Sequence, residues 1–384
     1  MMQHRWKPVG PAILLLAACG DADEGRPRAA LGGPEAPVSE SDPSRLVFDE
    51  SELNDFHLTI APADWDSILN DTMGDVYRAA DLRWKNVHLS RIGVRPSGSS
   101  SRYPGNPKMS LRLDFSVFVP GQKFMGLKSL KLDGLREATM MRDSLSYWVF
   151  RAGIPATPRT AYCRLFVNGE YRGVYMAEER VTGDLTRNRY GGEVGNLYRT
   201  RVDRPEAFAY RGPDPALYLP EPWEPKTNGL DGGHSVIPRF LDVLNHRPAE
   251  LESVCDLENL THYLAIETVI ISRDGILRDG GPPHNVHAYY RPSTGRFELI
   301  PWDLDQTWAA VEVTRDLFHN FGNTRVAAVV RDTPSLRELY KRKIARALDN
   351  EAHPDRVAER IDFQYARIRR AVYEDPYKFI TNAQ

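Results

Sequence analysis

The stretch ELIPWDLDQTW, residues 298–308, ends an apolar run with two carboxylates one residue apart, between Pro301 and Trp308. In an extended chain, side chains repeat every second residue, so Asp303 and Asp305 would face the same side, close enough to share a cation. Two like charges that near each other each raise the cost of ionising the other, unless a metal or a basic group stands with them. Mg2+ suits such a pair, since it takes hard oxygen ligands and commonly binds one or two carboxylates together with substrate phosphates. Just upstream, SRDGILRDGGPPHN places Asp274, Asp279 and Asn285 on a loop able to face the same space. Both aspartates precede a glycine, and Asp-Gly caps turns readily, so a turn role and a chemical role are both open for them.

A basic counterpart is offered near residue 108. PSGSSSRYPGNPK is a loop dense in Gly, Ser and Pro, and it leads through Lys108 into MSLRLDFSVF. There the two-residue period puts Met109, Leu111, Leu113 and Phe115 on one strand face, with Lys108, Ser110, Arg112 and Asp114 on the other. A Ser/Gly-rich turn can offer backbone N–H groups to phosphate while a nearby Lys or Arg supplies the charge. The fixed pattern GxxxxGK[ST] is absent, and a solvated strand face after an ordinary loop is the plainer account of this segment alone.

These groups need a scaffold. Phe56 to Ile60 alternates like a strand, APADWDSIL reads as a short helix, and KNVHLSRIGVR as a second strand with Val87 and Leu89 on one face. FMGLKSLKLDG supplies another strand and a turn. REATMMRDSLSYWVFRAG is helical, with Met141, Leu145 and Trp148 spaced for one packed face; Gly153 ends it and Pro155 and Pro158 prevent its resumption. TAYCRLFVNGEYRGVYMAEE is two alternating strands about Asn168-Gly169, a hairpin signal because both residues tolerate positive φ. Glu178 and Glu179 close the second strand, where a solvated end is expected and pairing with a basic group in a cleft is the alternative.

Residues 201–235 are Pro/Gly-rich and weakly periodic, as befits a seam or an insertion over a cleft. VIPRFLDVLN and DLENLTHYLAIETVII then read as helices, the second capped by Asp256 with Leu260, Leu264 and Ile271 in a buried stripe. HNVHAYY and RFELI are short strands joined by a turn at Pro292 to Gly295. SLRELYKRKIARAL and RVAERIDFQYARIRRAVYED close the chain as helices. The expected fold is α+β and two-lobed: a strand-rich lobe over about 46–180, a seam over about 181–235 and a helix-rich lobe over about 236–380.

The first residues carry an address. Arg5 and Lys7 precede an apolar stretch from Ala12 to Ala18, too short for the roughly 20 residues that span a bilayer. Residues 1–18 read as a cleaved secretion signal, and Leu16-Ala17-Ala18-Cys19 resembles the lipobox of bacterial lipoproteins, in which the cysteine is lipidated. Residues 19–45, rich in Gly, Pro, Ala and charge, are expected to tether the domain to the membrane. Gly20 after the cysteine favours the outer over the inner membrane. A formal net charge of −2 gives no reason to expect nucleic acid as a partner. Cys163 and Cys255 can form one disulfide in an oxidising compartment, or remain plain buried thiols.

Taken in order, FMGLKSLKLDG, MMRDSLSYWVFRAGIPATP, CRLFVNGEYRGVYMAEE, DGILRDGGPPHNVHAYY and IPWDLDQTW resemble the CotH kinase family, named for a spore coat protein and classed among atypical protein kinases. The resemblance covers roughly residues 87–310. It implies a kinase-like fold with an ATP site between lobes and transfer to an unidentified protein acceptor. Carried over residue by residue, it makes Lys108 or Arg112 the holder of nucleotide phosphates, with Lys108 preferred. It makes Asp274, ahead of Asp279, the acceptor of the substrate hydroxyl proton. Asn285 would orient the metal or the loop, and Asp303, with or without Asp305, would bind Mg2+ or Mn2+. The HRD and DFG signatures of ordinary kinases are missing. ATP is scarce outside the cytoplasm, so the alternatives are a surface binding protein that keeps the fold, or a metal-dependent envelope enzyme of another class.

Overall fold

The computed structural model describes residues 42–98, 102–200, 207–227, 234–309 and 314–382. Cys19, the signal and most of the tether lie outside them, as do residues 99–101 of the Ser/Gly loop. In chain order the first elements are β1 (Asn54–Ile60), α1 (Pro62–Asn70), β2 (Arg78–Trp84), β3 (Val87–Pro96), β4 (Leu111–Asp114) and β5 (Ser129–Asp133). Next come α2 (Arg142–Gly153), β6 (Thr160–Val167), β7 (Glu170–Glu179), α3 (Gly183–Arg189), β8 (Asn196–Thr200) and β9 (Trp223–Pro225). The rest is α4 (Val236–His246), α5 (Leu257–Val269), β10 (Val286–Arg291), β11 (Arg296–Pro301), α6 (Arg325–Asp332), α7 (Pro334–Asp349) and α8 (Pro354–Glu374).

Strands β1 to β7 close a barrel in the order β1-β2-β3-β4-β5-β7-β6, sealed by parallel pairing of β1 with β6. Closure leaves this sheet no open edge. The β6–β7 hairpin turns on Asn168 and Gly169, at φ of 52° and 84°, as the Asn-Gly pair requires. The Asn168 amide also bonds both backbone groups of Ile60, tying the turn to β1. Inside the barrel, Phe56, Leu82, Leu113, Leu132, Leu165 and Tyr175 share one core. Alternation therefore turns Arg95, Arg112, Lys131 and Glu178 outward, and register makes these four successive cross-strand neighbours on β3, β4, β5 and β7.

That outer face meets the helix-rich region. A second sheet runs β11-β10-β8-β9, and its hydrophobic face packs with α2, α4 and α5 in a separate core that includes Phe150, Phe240, Tyr263 and Phe297. The Pro/Gly-rich stretch thus contributes an edge strand: Trp223 is buried and its Nε1 donates to Ala207 O at 2.6 Å. Asp256 caps α5 as expected, accepting from Asn259 N at 2.8 Å. Ile271 falls beyond α5, at φ 52°, because that helix ends at Val269. Cys163 and Cys255 are both free and buried, one in each core, so the disulfide is not formed. The architecture is α+β, with an N-terminal barrel and a C-terminal helix-rich region.

Candidate metal centre

Where the outer row of the barrel meets α2 and the segment after β11, carboxylates gather. Asp133 ends β5, Asp143 sits in the first turn of α2 and Glu178 is the penultimate residue of β7. One ligand oxygen from each lies within 4.8 Å of the others. Lys131 reaches the same point, with Nζ at 2.9 Å from Glu178, 3.0 Å from Asp133 and 3.4 Å from Asp303. Glu178 is fully buried, and Glu179 nearly so, pairing with Arg159 at 2.7 Å and Arg189 at 2.6 Å. The expected solvated strand end is therefore wrong for both. The end of β7 is covered by α2 and by the basic residues around it, and burial without those partners would be prohibitive.

The chain after β11 is not extended as the two-residue period assumes. β11 stops at Pro301, and Asp303 takes φ 55°, so Asp303 and Asp305 are placed by a turn rather than by a pleat. Two side chains one helical turn apart on α2 hold this turn. Asp143 Oδ1 accepts from Leu304 N at 2.9 Å, and Tyr147 Oη accepts from Asp303 N at 2.9 Å while donating to Glu178 Oε1 at 2.9 Å. The pattern Asp-x-x-x-Tyr in RDSLSY carries the i, i+4 spacing that puts both on one helix face.

Burial and charge set the ionisation of the cluster. Burial opposes the Lys131 ammonium, but Glu178, Asp133 and Asp303 outweigh it and hold its pKa well above the usual lysine range. Burial pushes Asp143 well above the carboxylate range, and Glu178 repels its charge further. Burial likewise raises Glu178, with Lys131 only partly offsetting it. Asp305 is pushed up to about 7, by burial and then by Asp303. Three carboxylates thus lie against one ammonium, with Asp143 and Asp305 as their neighbours. Glu178 Oε2 is held by Lys131 Nζ at 2.9 Å. Buried carboxylate in surplus over the ammonium fits a hard divalent cation. Asp133, Asp143 and Glu178 can chelate one, and Asp303, with its side chain 40% exposed, lies on the solvent side of them.

The loop after α5 is drawn to the same place. Asn285 Nδ2 donates to Asp274 Oδ2 at 3.2 Å and to the Asp303 carbonyl at 3.1 Å. Asp274 also accepts from His284 Nδ1 at 3.0 Å and pairs with Arg278 Nε at 2.8 Å. Asp279 is instead enclosed by Arg273 at 3.0 Å, Arg315 at 2.6 Å and His319 at 3.1 Å. Burial works against its charge, but these bonds prevail and hold it at about 2. Beneath the loop, buried Glu267 accepts from Ile276 N at 2.9 Å and Leu277 N at 3.0 Å.

Of the residues singled out from sequence, Asp274, Asn285, Asp303 and Asp305 converge. Lys108 does not join them: it is fully buried and its ammonium is taken by Asp375, just after α8, which also accepts from Val174 N at 3.0 Å. The lysine at the carboxylates is Lys131, two strands' register away from any local cue, with Arg112 as its direct neighbour on β4.

A family model described as CotH kinase protein matches residues 94–383, a span containing every carboxylate of the cluster. Among curated proteins, inner spore coat protein H of Bacillus subtilis (strain 168) is 24% identical over 342 residues, 86% of this chain and 90% of that protein.

Proposed function

The chain belongs to the CotH kinase family, and from that premise we propose that it is an atypical, kinase-like enzyme that transfers a phosphoryl group from ATP to a protein hydroxyl, using Mg2+ or Mn2+. The observation that carries this is the Asn285 amide, which ties the loop aspartate Asp274 to the backbone of Asp303 beside a buried carboxylate cluster. Phosphoryl transfer is mostly placement and neutralisation of charge, and this arrangement supplies both.

Asp303 and Asp305, beside Asp133, Asp143 and Glu178, would hold the divalent ion, which would supply neutralisation of charge on the phosphate oxygens. Lys131 and Arg112, adjacent across β5 and β4, take the phosphates in place of Lys108. Asp274, its carboxylate oriented by His284 and Asn285, accepts the proton of the acceptor hydroxyl as that oxygen forms its bond to phosphorus. Asp279 is committed to three basic side chains and is the poorer base. Lipidation at Cys19 places the enzyme at the bacterial envelope, more readily the outer membrane. Among the described residues no helix is long and apolar enough to cross a membrane.

The test is calorimetric titration of ATP into the protein with and without Mg2+ or Mn2+, beside D303A, both checked for folding by circular dichroism. Metal-dependent binding that the folded variant loses is the expected result. A folded wild type that binds no ATP with either metal overturns the proposal.

A further inference from the structure

The barrel wall built from β1, β2 and β3 carries chemistry that the metal centre does not use. Register lines up Tyr171, Phe166, His57, Arg83 and His88 as successive cross-strand neighbours on β7, β6, β1, β2 and β3. They alternate with core residues and so face outward. The His57 ring stacks on Phe166 at 4.7 Å, nearly parallel at 16°, and Phe166 leans on Tyr171 at 5.2 Å. His57, Arg83 and His88 also line a cavity of about 200 Å3 that Thr59 and Asp81 border. A second cavity of about 280 Å3 shares Thr59 and Asp81 and continues past Ala80 to Arg91. Together they make one open groove, with an arginine in each half and a carboxylate at the junction. The neighbouring carboxylates are committed. Asp55 takes the Arg164 fork at 2.6 and 2.8 Å, Glu52 pairs with Lys85, and Asp64 pairs with Arg78 at 3.5 Å. Asp81 Oδ1 accepts from Arg91 N at 2.9 Å, which leaves its second oxygen to the groove. Arg83 and Arg91 are exposed, and neither guanidinium has an ion-pair partner among the described residues.

A guanidinium fork matches a carboxylate bidentately, and a ring wall with a few placed polar groups is how concave sites hold and orient a ligand. We propose that this groove binds an extended saccharide chain bearing carboxylates. Arg83 and Arg91 take carboxylates of the chain, Asp81 and Thr59 take its hydroxyls, and His57, backed by Phe166, is the wall against which a sugar ring lies. An acidic peptide fits less well. A closed barrel offers no strand edge for main-chain pairing, and such a peptide has no hydroxyls for Asp81. None of the metal-centre carboxylates lies on β1, β2 or β3, so the site stands whether or not that centre transfers phosphoryl groups.

Tetragalacturonate is titrated calorimetrically into the protein in EDTA, so that no metal bridges sugar and protein. Wild type binds; Arg83→Gln and Arg91→Gln, with unchanged circular dichroism and melting, bind at least about tenfold more weakly, as loss of a charge-assisted bond implies. Neutral cellotetraose and the peptide tetraglutamate, run beside it, bind wild type at least about tenfold more weakly than tetragalacturonate. D303A binds the sugar as wild type does, even where it loses metal-dependent ATP binding, which separates this site from the proposed reaction. No binding of tetragalacturonate by wild type, or equal binding by both folded variants, overturns the site. So does equal affinity for cellotetraose or tetraglutamate, and loss of sugar binding in folded D303A would move the ligand to the metal centre and overturn it too.

Discussion

Lys131 Nζ lies 2.9 Å from Glu178 Oε2, and the two residues are direct cross-strand partners on β5 and β7. Both are buried, so neither charge is stable without the other or a substitute. Removing one member of a buried pair costs about 3–5 kcal/mol, chiefly through the charge left behind. Lys131→Met is therefore expected to lower stability by about that amount in urea denaturation. Added Mn2+ should restore part of the loss, because a cation at Asp133, Asp143 and Glu178 replaces the missing ammonium. Equal stability of variant and wild type would mean that the lysine does not hold the cluster.

Asp274 and Asp279 separate by their partners. Asp274→Asn keeps the shape of the side chain but removes the basic oxygen, so phosphoryl transfer should fall by about 10²–10⁴ with metal-dependent ATP binding retained. Asp279→Asn breaks charge-assisted bonds to Arg273, Arg315 and His319. It should cost stability, by about 1–3 kcal/mol, more than it costs the chemical step. Single-turnover kinetics with calorimetry and thermal melting distinguish the two patterns; the reverse assignment makes Asp279 the base.

The loop between α5 and β10 was legible from sequence because its cues are local: a capped helix, turn residues, a hairpin and then Asp303. Asp274, Asn285 and Asp303 accordingly come together. Lys131 was not legible, since choosing it over Lys108 requires the register of three strands. Asp375, which claims Lys108, is 267 residues away in the chain. Glu178 looked like a solvated strand end because nothing local shows that α2 covers it. Asp143 and Tyr147 lay within a helix whose buried polar face hydrophobic spacing does not reveal. The barrel's closure depends on parallel pairing of β1 with β6, again a non-local fact.

Gly275 follows Asp274 directly, and a Cβ there would meet Glu267 Oε1 at 1.8 Å and its Cδ at 2.7 Å. Glu267 is buried on α5 and cannot yield without releasing Ile276 N and Leu277 N. Gly275→Ala should therefore displace the loop and Asp274 with it. The expected result is a folded protein with transfer reduced at least about 100-fold, as a displacement near 1 Å implies, and with hydrogen exchange accelerated over residues 273–279. Wild-type exchange in that segment would show that the loop tolerates the methyl group.

The same glutamate should leave a mark on stability. Burial raises Glu267 from 4.5 to about 7, with its two backbone hydrogen bonds opposing but not cancelling the shift. Between those values the unfolded chain has released the proton that the folded chain keeps, so fewer protons are bound on unfolding and stability falls as pH rises. The contribution is complete below about 4.5 and is lost as pH passes through about 7. A shift of this size corresponds to at most about 3 kcal/mol. Glu267→Gln cannot ionise, so the stability difference between wild type and variant should shrink from pH 4.5 to 7 and level off above it. Denaturation curves at several pH values measure that difference directly, and parallel pH profiles for the two proteins would show that Glu267 titrates in the fold as it does in the unfolded chain.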